Sequence, residues 1–160
     1  MQKCETGKVP AFIADCHLGK LAKYLRLMGL DTLYFPQIDD NELIDLANRE
    51  CRIILTRDKG LYERKKARCS LLKAVKTEKQ LLEVIRRFHL KRFQAHFSRC
   101  IVCNEPLRVI EKGEILHRLP PKVIKYFFDF EICTKCDRIY WHGDHYKRMK
   151  AFLRKVLESV

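Results

Sequence analysis

Apolar residues return along the first ninety positions in two alternating rhythms. Phe12-Ile13-Ala14 is a short unbroken apolar run that stops at Asp15. Leu18, Leu21, Ala22, Leu25 and Met28 then recur every three or four residues, the period of one helix face, and Gly29 suits a helix stop. Thr32-Leu33-Tyr34-Phe35 is a second strand-like run, closed by Pro36. Asp39 and Glu42 stand at capping-box spacing before a stripe of Leu43, Leu46 and Ala47. Arg52-Ile53-Ile54-Leu55-Thr56 has the make-up of a buried strand and ends just before Asp58. A short helix is expected over 59–67 and a fourth strand at Ser70-Leu71-Leu72-Lys73. A further helix carries Leu81, Leu82, Ile85 and Phe88, with Thr77 as its cap and Gln80 in the box position.

Strand and helix thus alternate through four cycles. That order predicts an α/β fold, with a parallel sheet covered by helices on both faces and right-handed crossovers. Ligands of such sheets bind at the carboxyl ends of the strands. Asp15 and Asp58 fall just past the first and third strands, and Asp39, Asp40 and Glu42 open a helix on the same rim.

The pattern changes near residue 93. Short β-like runs (Leu107-Arg108-Val109-Ile110 and Ile139-Tyr140-Trp141) and a Pro120-Pro121 helix start share the next stretch with two cysteine pairs. From Asp144 to Val160, Met149, Phe152, Leu153, Val156 and Leu157 lie on one helical face. Cys100-x-x-Cys103 and Cys133-x-x-Cys136 have the spacing of two zinc knuckles. Four thiolates fill a tetrahedral ion, so this zinc is expected to be structural and to supply the segment's folding energy. Cys4, Cys16, Cys51 and Cys69 are scattered and read as idle thiols.

Charge sharpens the picture. The chain has 160 residues, 33 Lys+Arg and 20 Asp+Glu, a net +13 that points to a polyanion such as nucleic acid. The excess is uneven: residues 57–92 hold 13 Lys+Arg against four acids, whereas residues 31–58 hold seven acids against three bases. Carboxylates gathered on a rim repel one another unless cations or protons neutralise them. Their hard oxygens suit magnesium or manganese, ions that activate water and clamp a phosphodiester. An acidic centre in a basic surround is the layout of a metal-dependent nuclease. The plainer alternative makes Asp39 or Asp40 a helix cap and Asp15 a turn residue. Asp15-Cys16-His17 also invites comparison with Asp-nucleophile phosphatases, but His17 stands where those place a second Asp. No apolar run approaches the length of a membrane span and MQKCETGKVP lacks a signal-peptide core, so a soluble, cytoplasmic protein is expected.

Three stretches, FIADCHLGKLAKYLRLMGLDTLYF, DDNELIDLA and RIILTRDKGLYERK, together with RCIVCNEPL and FEICTKCDRIYWHGDHYKRM, resemble the Mut-7 C-terminal RNase domain family. The resemblance runs over about residues 11–150. It implies a PIN-like nuclease fold followed by a zinc ribbon, and a ribonuclease acting on RNA through divalent metal. On that reading residues 1–10 are a flexible leader, 11–95 the PIN-like domain, 96–143 the ribbon and 144–160 a helix packing on the core. Asp15, Asp40 and Asp58 match the family's acids, with Asp39 and Glu42 as close alternatives, and Thr56 supports the site through its hydroxyl. PIN-like sites often carry a fourth acid soon after the third. Here Lys59 and Gly60 follow, so one closely held metal is expected rather than two.

Lys20, Lys23, Arg26 and Arg57 are the candidates for phosphate contact, with a solvated helix face as the alternative. Tyr140, Trp141, His145 and Arg148 are candidates to stack on or grip RNA, although Trp141 is better explained as packing the ribbon against the first domain. No small-molecule cofactor and no membrane partner is expected. The competing function is a non-catalytic RNA-binding or ribonucleoprotein-docking module braced by the same structural zinc.

Overall fold

The computed structural model describes residues 9–92 and 97–160. Most of the leader expected at 1–10 lies outside the described residues. The first half runs β1 (Phe12–Ala14), α1 (Gly19–Leu27), β2 (Thr32–Tyr34), α2 (Asp40–Arg49), β3 (Ile53–Thr56), α3 (Lys59–Glu63), β4 (Cys69–Leu71) and α4 (Thr77–Arg87). Its four strands form a parallel sheet in the order β2-β1-β3-β4.

The unbroken apolar runs follow from burial on both faces of that sheet. Side chains alternate across it, so Phe12, Ala14, Ile53 and Leu55 enter a core shared with α1 and α4, while Ile13 and Ile54 enter a second core beneath α2 and α3. Because β1 sits between β2 and β3, the chain turns to opposite sides after its first two strands. The crevice of such a switch point lies at the carboxyl ends of β1 and β3.

Several local expectations shift. The helix expected over 59–67 spans five residues, and the fourth strand begins at Cys69. Thr77 is the first helical residue of α4 rather than its cap; Lys76 holds the cap position and no side chain caps it. Gln80 is buried, and its amide donates to the carbonyls of Ala74 and Val75. It therefore satisfies the loop entering the helix, which takes it away from the box role.

The second half contains β5 (Leu107–Ile110), α5 (Lys112–Ile115), α6 (Pro121–Tyr126), β6 (Phe130–Cys133), β7 (Ile139–Tyr140) and α7 (Asp144–Glu158). Its three strands are antiparallel in the order β5-β6-β7, over a small core of Ile110, Ile115, Leu119, Val123, Phe130 and Ile132. From α7, Tyr146, Met149, Leu153 and Val156 join the core of the parallel sheet, and Phe152 lies 4.5 Å, ring to ring, from Tyr24 of α1. No described helix is long and apolar enough to cross a membrane.

The two halves are fastened at the amino edge of the parallel sheet. There the chain leaves α1, just past the C-cap Met28, through Gly29, whose φ of 82° is the left-handed conformation glycine takes without strain. Asp31 receives hydrogen bonds from Arg52 at 2.7 and 3.2 Å and from the Asn104 amide at 2.7 Å. The backbone N–H of Thr32 donates to Asn104 Oδ1 at 2.9 Å. Asn104 thus bridges to the first strand pair from a position one residue beyond Cys103.

Candidate active site and metal centre

Asp15 follows β1 directly and is 5% exposed. Its Oδ1 accepts the His17 N–H at 2.9 Å, and its Oδ2 accepts from the Thr56 hydroxyl and, at 3.3 Å, from the Arg57 N–H. Thr56, the last residue of β3, is fully buried and accepts the Asp58 N–H at 2.9 Å through the same hydroxyl. A single hydroxyl therefore links the two acids that end neighbouring strands. Asp58 is exposed and caps α3, its Oδ1 accepting the N–H groups of Gly60 and Leu61 at 2.7 and 3.2 Å. That leaves Oδ2 for a ligand.

The other acids are less closely held. Asp39 caps α2 through the Asn41 N–H at 2.8 Å, as the plain capping expectation has it. Asp40 is ion-paired to Arg64 at 3.0 Å, and Glu42 is exposed. The sequence reading missed two polar partners here. Arg64 grips Asp40 and also reaches Asn41, and the Tyr34 hydroxyl donates to the carbonyl of Cys16, beside Asp15. Among the described residues, the one group of three or more metal-type donors within 4.8 Å of each other is the cysteine cluster, so the acids are positioned on one rim without being drawn into a closed ligand set.

That cluster joins Cys100, Cys103, Cys133 and Cys136. Each pair sits in the same turn. The N–H of Asn104 reaches the Cys100 carbonyl at 2.9 Å, and the N–H of Asp137 reaches the Cys133 carbonyl at 2.8 Å. Both Asn104 and Asp137 are left-handed, with φ of 73° and 59°, a conformation their side chains tolerate. Across the pairs, Sγ atoms lie 3.5 Å (Cys100–Cys136) and 3.3 Å (Cys103–Cys133) apart. Zn–S bonds of about 2.3 Å give tetrahedral edges of about 3.8 Å, so the four sulfurs suit zinc after small relaxation.

Without metal the thiols are unequal. Burial pushes Cys103 up to about 12 and raises Cys133 as well. At Cys136 burial is outweighed by the backbone N–H and side chain of Arg138, which bring it down to about 6. Of the cysteines outside the cluster, Cys16 and Cys69 are free, Cys51 is disulfide-bonded rather than idle, and Cys4 lies outside the described residues.

The basic candidates divide. Lys20, Lys23 and Arg57 are exposed near the acid rim, and His145 and Arg148 are exposed on α7. Arg26 does not belong with them. It is 3% exposed, and its guanidinium donates to the carbonyls of Thr32 at 2.8 Å, Ile101 at 3.0 Å and Val102 at 2.8 Å. Those bonds tie the first zinc knuckle to β2, so Arg26 is structural and closed to a phosphate. The knuckle meets the sheet at its amino edge, where α1 ends, whereas the acids stand at the carboxyl edge, where α1 begins. Trp141 lies 6.5 Å, ring to ring, from Phe130 in the ribbon core, so it packs mainly within the ribbon rather than between the halves.

Residues 10–153 match the family model of the Mut7-C RNAse domain. Comparison with curated proteins and with solved structures returned no match.

Proposed function

The chain belongs to the Mut7-C RNAse domain family, and from that premise we propose that it is a metal-dependent ribonuclease hydrolysing RNA phosphodiesters at the carboxyl edge of its parallel sheet. The observation that carries the reading is the Asp15–Thr56–Asp58 linkage at the switch point between β1 and β3. The donor set is hard oxygen, which fits magnesium or manganese. Asp15, Asp58 and Asp40 would hold the ion, with Asp39 and Glu42 beside them. When bound, such an ion activates water for attack at phosphorus and offsets the charge that develops there.

The chain's own residues do the positioning. Backbone N–H donors and the Thr56 hydroxyl fix the orientation of Asp15, and the first turn of α3 fixes Asp58. An oxygen of either acid can take the proton of the attacking water. Lys20, Lys23 and Arg57 contact phosphates next to the scissile bond, and His145 and Arg148 contact RNA farther along. Zinc on the four cysteines braces the ribbon and takes no part in the chemistry.

One observation favours a second reading. The Arg64 ion pair occupies Asp40, as expected if the rim no longer binds metal and the protein is an RNA-binding or ribonucleoprotein-docking module. Labelled single-stranded RNA incubated with manganese, magnesium or EDTA separates the two. The ribonuclease reading expects metal-dependent products that vanish in Asp15→Asn and Asp58→Asn, with zinc content unchanged. Salt-sensitive binding without products would support the module instead.

A further inference from the structure

A cleft of about 320 Å³ opens between the ribbon and the start of α7, lined in part by Ile101, Tyr140, Trp141, His145, Tyr146 and Met149. Its size is that of a site for one small flat ligand. The aromatic rings behind it hold one another, two pairs edge to face and one stacked. Phe97 lies 5.6 Å from Tyr140 at 75° and 4.8 Å from Tyr146 at 84°, and His142 stacks on Tyr146 at 4.2 Å and 11°. Their orientation is thus set before anything binds. Gly143 matters to this arrangement, because a Cβ there would lie 2.8 Å from the Trp141 indole nitrogen.

The surround is cationic. Residues 134–155 carry seven Lys and Arg against two acids, with Lys147 and Arg148 exposed on α7 and the Lys150 ammonium 5.7 Å from the Tyr146 ring. An apolar peptide would have no use for those cations. A simple anion would have none for an aromatic slot. A polyanion bearing flat rings uses both. We propose that the cleft is a nucleobase subsite, taking one base of a single-stranded RNA whose backbone phosphates lie against α7. The identity of the polymer rests on the ribonuclease reading above. The ribbon is fastened at the amino edge of the sheet, so this base is an anchor away from the scissile bond.

Trp141 is the sole tryptophan, so its fluorescence reports on the cleft. The full chain, zinc loaded, is titrated in chelator-free buffer cleared of magnesium and manganese, with oligouridylate and with an abasic oligomer of equal length and charge. Quenching and about tenfold tighter binding are expected for the base-bearing strand, the stacking of one base. Gly143→Ala, which displaces the indole without changing any charge, should remove most of that difference and leave the salt dependence as it was; His145→Ala should reduce it. Equal binding of the two strands without quenching would overturn the subsite. So would a base-dependent difference that both variants leave intact. Cleavage in manganese is scored separately. Normal cleavage with no base dependence defeats the subsite alone, whereas base-dependent quenching without cleavage defeats the ribonuclease reading alone.

Discussion

Replacing Arg26 by methionine removes a buried cation while keeping most of its volume. Three carbonyls lose their donor: Thr32 on β2, and Ile101 and Val102 within the first zinc knuckle. Hydrogen bonds to a charged group contribute about 1.5–3 kcal/mol each, so the gross loss is several kcal/mol. Methionine also removes a desolvation cost, since burial lowers the Arg26 pKa even though the cysteine thiolates and Asp31 raise it. The net expected loss is about 3–5 kcal/mol, the usual result of deleting one partner from a buried polar set. Against a typical total of about 5–15 kcal/mol, that is a large fraction, and it should lower the melting temperature by about 10 °C or more. Urea unfolding with zinc bound measures it directly. A second arm repeats the experiment after zinc chelation, where the Arg26→Met effect should shrink, because the knuckle carbonyls are then no longer held in place. A stability change within about 1 kcal/mol, accompanied by a loss of RNA affinity, would refute the structural role and return Arg26 to the phosphate contacts.

Metal analysis should find one zinc per chain, lost in Cys103→Ser and retained in Cys69→Ser, because Cys69 is a free thiol outside the cluster. Zinc uptake should release protons, measurable in weak buffer, since thiols such as Cys103, pushed up to about 12, must ionise to bind. Burial raises the Asp31 carboxyl, but hydrogen bonds from Arg52 and Asn104 outweigh it and hold its pKa below the usual range. Its stabilisation is therefore complete above the unfolded value of about 3.9 and lost as pH falls through the lower folded value. Asp31→Asn should cost stability at neutral pH and flatten the acid limb of a urea-unfolding series. Arg64→Ala removes a half-exposed ion pair and should change stability by about 0–1 kcal/mol. If Asp40 is a ligand, the same variant should need less manganese for half-maximal cleavage, and an unchanged requirement would take Asp40 out of the ligand set.

Much of the parallel half was legible because strands buried on both faces read as apolar runs with sharp polar ends. Asp15 and Asp58 were legible as a pair for the same reason: each is the first acid after such a run. Other features depended on three-dimensional context. Gln80 occupies a capping-box position by spacing, yet its amide is drawn to the Ala74 and Val75 carbonyls of the entering loop. Phe130 and Ile132 of β6 offer only two alternating apolar positions before the second cysteine pair, too few to mark the central strand of the ribbon. Lys20, Lys23 and Arg26 look like one cationic face because they are spaced by three. Each step of three falls short of a full turn by about 60°, so Arg26 lies about 120° around the helix from Lys20 and faces the knuckle. The Asp40–Arg64 pair joins α2 to the end of α3, and no local spacing announces it.

The placement of the two metal-type clusters constrains what zinc can do for function. The acids stand at the carboxyl edge, past the ends of β1 and β3. The knuckle reaches the sheet through Thr32 at the start of β2 and through Asp31 before it. Asp31 in turn holds Arg52, which precedes β3 and also reaches the carbonyl of Phe12, the first residue of β1. Zinc at the cysteines would therefore act on the strands that precede Asp15 and Asp58 from their far ends, through this hydrogen-bonded seam rather than by touching the acids. Loss of zinc should then lower the fraction of molecules that are folded, while a molecule that remains folded keeps the same Asp15–Thr56–Asp58 linkage. On the proposed ribonuclease reading, zinc at the cysteines would govern how much folded enzyme there is, and the acids at the opposite edge would govern how fast each molecule turns over.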